Sequence, residues 1–207
     1  MQHNLLQLFP IPFYSSKVNV SSLDKQNIKK LNYKRIDSNN GYISVDTKVL
    51  DNDIFESLKK EIENHVGIYT RNVLNIANNT SFYITNSWVM KHIRGDSAHR
   101  HHHTNSIFSG TVYIQTDNDS GIFSVYKTYT NVIPKIISPE YNEWNIFNCE
   151  SSSFIPQNND IFLFPSNLDH EVSQCNSSDD RYCLAFNVFL KGTLGQSDKN
   201  KISDLVI

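Results

Sequence analysis

From Phe82 onward the sequence changes to a period of two, and this constrains the fold more than any other feature. Stretches 82–93, 109–114, 121–126, 160–165 and 181–190 alternate in polarity or run apolar over strand lengths, and turn formers such as Thr116-Asp-Asn-Asp-Ser-Gly and Pro156-Gln-Asn-Asn-Asp separate them. Alternation sends successive side chains to opposite faces of a sheet. Many short strands after a helical start predict a mainly β chain, a double-stranded β-helix or jelly roll whose two facing sheets enclose a pocket.

The preceding residues read differently. Residues 8–13, with Pro10 and Pro12, read as extended chain, because proline disfavours the helical region for its predecessor. A short capped helix is expected from Ser21/Ser22, and a turn at Asn39-Asn40-Gly41. Asp53 is expected to cap a longer helix. Its apolar residues Ile54, Phe55, Leu58, Ile62 and Val66 follow helical spacing, and the pattern continues past Gly67 through Val73 and Ile76. A single domain follows, with residues 1–80 as helical and extended support, 81–191 as the jelly-roll core and 192–207 as a weakly ordered tail. Residues 127–153 have no clean period and are expected to form an insertion or lid-like loop.

Composition narrows the function classes. With 207 residues, 39% hydrophobic and 12% aromatic, the chain can bury a core. Nineteen basic against 21 acidic residues, without a basic block, argues against nucleic acid as a partner. Three cysteines, none in a C-x-x-C pair, suggest neither a disulfide framework nor a zinc ribbon, and point to a reduced, cytoplasmic setting. Neither a signal peptide nor an apolar run of membrane-spanning length is expected.

The chemistry is concentrated in 97–114, S-A-H-R-H-H-H-T-N-S-I-F-S-G-T-V-Y-I. On an extended strand His99, His101 and His103 share a face, while His102 points the other way. Two imidazoles two residues apart make half of a metal site. The other half is expected from His170, in F-L-F-P-S-N-L-D-H-E-V, with Arg181 eleven residues further on. A His-x-His pair, a distant His and a following Arg suggest non-haem iron with an acidic co-substrate. His99 stays open as an alternative to His101 or His103, and Asp96 as a weaker carboxylate candidate. His65, His92 and His102 read as packing or supporting groups, and Trp88 and Trp144 as core. Tyr113 shares a face with Thr111, and Asn187 with Arg181. Both are candidates to touch a co-substrate.

Four ordered motifs, Ser-Trp-Val-Met at 87–90, H-H-H-T-N-S-I-F-S-G-T-V-Y-I, D-I-F-L-F-P-S-N-L-D-H-E-V and D-R-Y-C-L-A-F-N, with Phe-Pro-Ile-Pro near the start, resemble the 2-oxoglutarate/Fe(II) oxygenases. The similarity is to a subgroup with a His-x-His-Pro-x-Ser…Ser-Gly-x-Tyr-Tyr pattern, common in marine bacteria and their phages. It implies a double-stranded β-helix, Fe(II) and 2-oxoglutarate, and oxidation of an organic substrate by O2. Residue by residue, it implies His101, His103 and His170 as iron ligands and Arg181 as the grip on the distal carboxylate. Two departures stand out: His103 replaces the usual Asp or Glu, and Thr104 the subgroup's Pro. The expected activity is a hydroxylase releasing succinate and CO2, acting on a small molecule or a protein side chain, with a homodimer compatible with open sheet edges. Its competitors are a three-His, cupin-type dioxygenase without 2-oxoglutarate, and a non-catalytic jelly roll with a structural metal. Arg181 turned away from the metal pocket would favour the first competitor. Closure by a fourth ligand such as His99 would favour the second.

Overall fold

The computed structural model describes residues 4, 6–36, 40–127, 139–195 and 205–207. Its elements run β1 (Tyr14–Lys17), α1 (Ser22–Lys29), β2 (Tyr33–Arg35), β3 (Tyr42–Ser44), α2 (Glu56–Gly67), β4 (Thr80–His92), β5 (Ala98–His101), β6 (Phe108–Gln115), β7 (Phe123–Tyr126), β8 (Ser151–Phe154), β9 (Asp160–Pro165), β10 (His170–Val172), β11 (Arg181–Leu194) and β12 (Leu205–Val206). The strands form an eight-stranded sheet in the order β1-β9-β6-β11-β4-β3-β2, with β12 on β11, and a four-stranded sheet in the order β5-β10-β7-β8. The expected mainly β double-stranded β-helix is present, with helices against one face.

The large sheet is buried on both faces, which explains its nearly continuous apolar strands. Along β6, Val112 and Ile114 enter one core cluster with Leu58, Ile62 and Val66 of α2, while Tyr113 between them enters a second. Along β9, Ile161 and Leu163 take the helix side, and Phe162 and Phe164 the side of the small sheet. Phe13 stacks on Phe154 at 4.7 Å and on Phe164 at 5.8 Å, so the extended N-terminal segment closes one end of this second core. Gly110 of the Ser-Gly pair lies opposite Phe186 of β11. A Cβ there would collide with the Phe186 ring and lie 2.7 Å from Leu163 Cδ2 and 2.8 Å from the Phe162 carbonyl. Glycine at this position lets the three central strands pack around an aromatic ring.

The helical expectations hold in part. Ser21 caps α1 through a reciprocal capping box with Asp24. Ahead of α2, however, 53–55 form a 3₁₀ turn capped by Asn52, and Ile54 stands 52% exposed. Past Gly67 the chain widens into a π-helix, Ile68–Val73, and ends there, short of Ile76. Thr70 Oγ1 bonding back to the Val66 carbonyl accompanies that widening. Gly192, expected in a loose tail, instead continues β11 and exchanges backbone bonds with Ile207. Of the expected lid, 151–153 enter β8, while 128–138 lie outside the described residues, as do 196–204 of the tail and Asn39 of the expected turn. Trp144, read as core, is 68% exposed.

Candidate metal centre

Antiparallel pairing sets the site. β10 lies against β5 with His170 opposite His101, which brings the two motifs together across one backbone ladder. His103 follows just beyond β5, its N–H bonded to the Ser166 carbonyl at 2.9 Å. One ligating atom from each of His101, His103 and His170 lies within 4.8 Å of the other two. The Nε2 atoms of His103 and His170 are 3.3 Å apart. His101 Nδ1 donates to the His99 carbonyl at 2.7 Å and His170 Nδ1 to the Leu168 carbonyl at 2.9 Å. Each bond holds its proton on Nδ1 and leaves a lone pair on Nε2, which in His170 faces His103 Nε2, the arrangement that orients metal-binding imidazoles.

Burial keeps the three rings neutral. It pushes His103 down to about 3, assisted by the neighbouring His170 and His101, and His170 down to about 4; His101 is lowered for the same first reason. Neutral imidazole is the form that ligates.

The other histidines stand apart from this trio. His99 is exposed and bonds Asn40 Oδ1 at 3.1 Å, so among the described residues the cluster stays at three. His102 points outward to Asp169, which also holds Arg100, and Arg100 lies 4.0 Å over the Tyr126 ring. This outer set braces β5 to β10. Asp96, considered as a ligand, is buried in a bidentate pair with Arg35 at 2.6 and 3.0 Å. His65 is buried and bonds the Tyr14 hydroxyl at 2.8 Å, the packing role expected. Trp88 departs from its expected core role. It lies opposite Ala185, on the pocket face of β4, with its ring 5.6 Å from His103.

Arg181 is 2% exposed. The register puts it on the same face of β11 as Cys183, Ala185 and Asn187, with His92, Met90, Trp88 and Asn86 opposite on β4 and Tyr113, Thr111 and Ser109 on β6. Its guanidinium donates to His92 Nδ1 at 3.2 Å and Cys183 Sγ at 3.5 Å, and lies 5.3 Å from the Tyr113 ring centre. Among the described residues no carboxylate pairs with it. Its Nε, the Tyr113 hydroxyl and the Thr111 hydroxyl are buried without hydrogen-bond partners. A buried, uncompensated cation surrounded by idle polar groups is costly unless an anion joins it. The donor set therefore fits a carboxylate of a bound ligand.

Midway along β11, Ser109 Oγ donates to Asn187 Oδ1 at 2.8 Å, and Ser109, Ser166 and Ser106 link at 2.8 Å each. Ser166 thus ties the segment after His103 to the loop before His170, and Asn187 is held by its oxygen. Ser106 and Ser109 fall on the serines of the motif pattern and Ser166 lies in D-I-F-L-F-P-S-N-L-D-H-E-V, but sequence reasoning gave none of them a role, since their contact depends on distant segments meeting.

A jelly roll with three neutral imidazoles converging on one point, and a buried arginine without a protein anion beside it, can hold a divalent metal ion and an anionic ligand together. The comparisons agree. A family model described as "Putative 2OG-Fe(II) oxygenase" matches residues 86–187, from Asn86 of β4 to Asn187 of β11. Among solved structures, the chain is similar to an oxidoreductase of the 2OG-Fe(II) oxygenase family from Burkholderia pseudomallei (TM-score 0.54, 14% identity, covering 85% of this chain and 83% of that one). It is similar also to HygX from Streptomyces hygroscopicus with nickel and 2-oxoglutarate bound (0.59, 10%, 86% and 82%). A third is the non-heme alpha ketoglutarate dependent epimerase SnoN from nogalamycin biosynthesis (0.61, 9%, 88% and 81%). No curated protein matches the sequence. Residues 86–187 thus match a 2-oxoglutarate/Fe(II) oxygenase family, and the fold around them is the one these solved oxygenases share.

Proposed function

We propose that the chain is a dioxygenase that hydroxylates a small-molecule or protein side-chain substrate with release of succinate and CO2. In this reading His101, His103 and His170 hold Fe(II), and Arg181 holds the distal carboxylate of 2-oxoglutarate. The observation that carries the reading is the convergence of three neutral imidazoles beside a buried arginine that lacks a protein anion. When bound, iron and 2-oxoglutarate supply the oxidising chemistry. The protein's own residues bind and orient.

Arg181 offers a planar fork of donors to a carboxylate, which a lysine point charge would not reproduce. Tyr113 and Thr111, idle and buried, supply further hydroxyls on the same wall. Three neutral imidazoles bring no negative charge to the metal, so the co-substrate's own carboxylates do the balancing. Asn187 stands six residues from Arg181 along β11, about 20 Å in an extended strand. That exceeds the length of a five-carbon diacid, so Asn187, with Trp88 between it and Arg181 in the register, is assigned to the substrate side rather than to the co-substrate. Arg181 on the pocket face favours this reading over a three-His dioxygenase without 2-oxoglutarate. His99 bonded to Asn40 favours it over a closed structural metal site.

The test is anaerobic absorbance of metal-free protein given Fe(II) and then 2-oxoglutarate. A weak visible charge-transfer band is expected only with both, and is expected to vanish in His170→Ala. In Arg181→Ala the band should require far higher 2-oxoglutarate while iron binding persists. Iron binding with no band at any 2-oxoglutarate concentration would overturn the reading.

A further inference from the structure

We infer that His92 is a positioning residue for the co-substrate, a neutral acceptor that aims Arg181 without discharging it; this rests on the function proposed above. His92 pairs with Arg181 across β4 and β11, and both are 2% exposed. Its Nδ1 accepts from Arg181 Nη1 at 3.2 Å, which places the ring proton on Nε2. Burial first, and then the guanidinium, push His92 down to about 3, so it stays neutral in the working range.

The identity of the acceptor decides what Arg181 can do. A carboxylate here would aim the guanidinium equally well but neutralise it, leaving little attraction for an incoming anion. An apolar side chain would preserve the charge but strand a buried N–H and free the fork to turn. An imidazole keeps the charge and accepts the guanidinium N–H, although its own Nε2 is then a buried donor without a partner. The nearby buried carboxylate, Asp96, is engaged bidentately by Arg35 and held by the Ile93 N–H at 3.0 Å. Arg181 is thus left as the buried cation whose described partners are all uncharged.

The ring is also wedged in place. Gly41, at φ +80°, packs so closely that a Cβ would collide with His92 Cδ2 and lie 2.7 Å from the Lys91 carbonyl. The β2–β3 hairpin therefore presses His92 towards Arg181. This gives the N-terminal segment a purpose at the site, although the family match begins only at residue 86.

Equilibrium titration of 2-oxoglutarate into the Mn(II)-loaded full chain tests the inference, with Mn(II) affinity and near-UV circular dichroism measured alongside. His92→Gln, whose amide oxygen can accept, should bind 2-oxoglutarate within about threefold of wild type. His92→Leu should bind roughly tenfold more weakly or worse. His92→Glu, the same size as Gln, should lose about a hundredfold through neutralisation of Arg181. Mn(II) affinity should be unchanged in all three. If Leu fails to fold, the Gln/Glu pair still decides. Glu binding as tightly as Gln, or folded Leu binding like wild type, would overturn the role given to His92. A wild-type chain that binds Mn(II) but no 2-oxoglutarate would instead overturn the proposed function, and this inference with it.

Discussion

In the proposed site His103 takes the place that, by the family resemblance, usually carries a carboxylate, and its chemistry has two measurable consequences. Imidazole contributes no charge to a divalent ion, so His103→Asp should tighten Mn(II) binding by about tenfold, read by direct titration. The second consequence concerns pH. His92, His103 and His170 are pushed down to about 3, 3 and 4 in the fold, against about 6.5 in an unfolded chain. Between those values the unfolded state binds more protons, so the metal-free fold loses stability as pH falls below about 6.5 and continues to lose it towards 4. Urea midpoints at pH 7.5 and 5.0 should show the lower value at pH 5.0. An unchanged midpoint would mean that the buried imidazoles do not stay neutral in the folded chain.

At the scale of elements, the central strands are fixed by how they pack. Gly110→Ala places a methyl against Phe186, Leu163 and the Phe162 carbonyl at once. It should cost roughly 1–3 kcal/mol, seen as a lower denaturant midpoint with an unchanged slope. Removing the cap with Ser21→Ala should cost about 1 kcal/mol by the same measure. The long strands β4, β6, β9 and β11 were legible in the sequence, because apolar residues recur where both faces are covered. The short strands β5 and β10 carry no apolar period: the extended reading of β5 serves only to place its histidines, β10 does not read as a strand, and pairing with each other, and of β10 with β7, makes them strands. The end of α2 was misjudged because Val73 keeps a helical spacing that the π-turn from Ile68 breaks. At the site, His170 and Arg181 stood out by position, while the choice of His101 and His103 over His99 came only from the family resemblance. The carbonyls of His99 and Leu168, the serine links and the Gly41 wedge could not be read, since they depend on backbone direction and on contacts between distant segments.

For the whole molecule, the helices cover one face of the large sheet and the small sheet covers part of the other, so the candidate metal site lies between sheets rather than on a surface. A ligand that binds only the folded state stabilises it by mass action. Mn(II) at about one hundred times its dissociation constant should add about 2.7 kcal/mol, or a rise of roughly 5–10 °C in Tm. The rise should disappear in His170→Ala. Among the described residues no helix is long and apolar enough to cross a membrane.

His103 and His170 stand 67 positions apart in the chain. An ion gripped by both turns the intervening polypeptide, with β6 to β9 inside it, into a closed ring. Pulled from its two termini, such a molecule has hidden length: roughly 220–240 Å of contour stays shielded from force until the coordination bonds break. Single-molecule stretching of the metal-loaded chain should therefore release that length in a separate, later step, and the metal-free chain should give it up in one continuous extension.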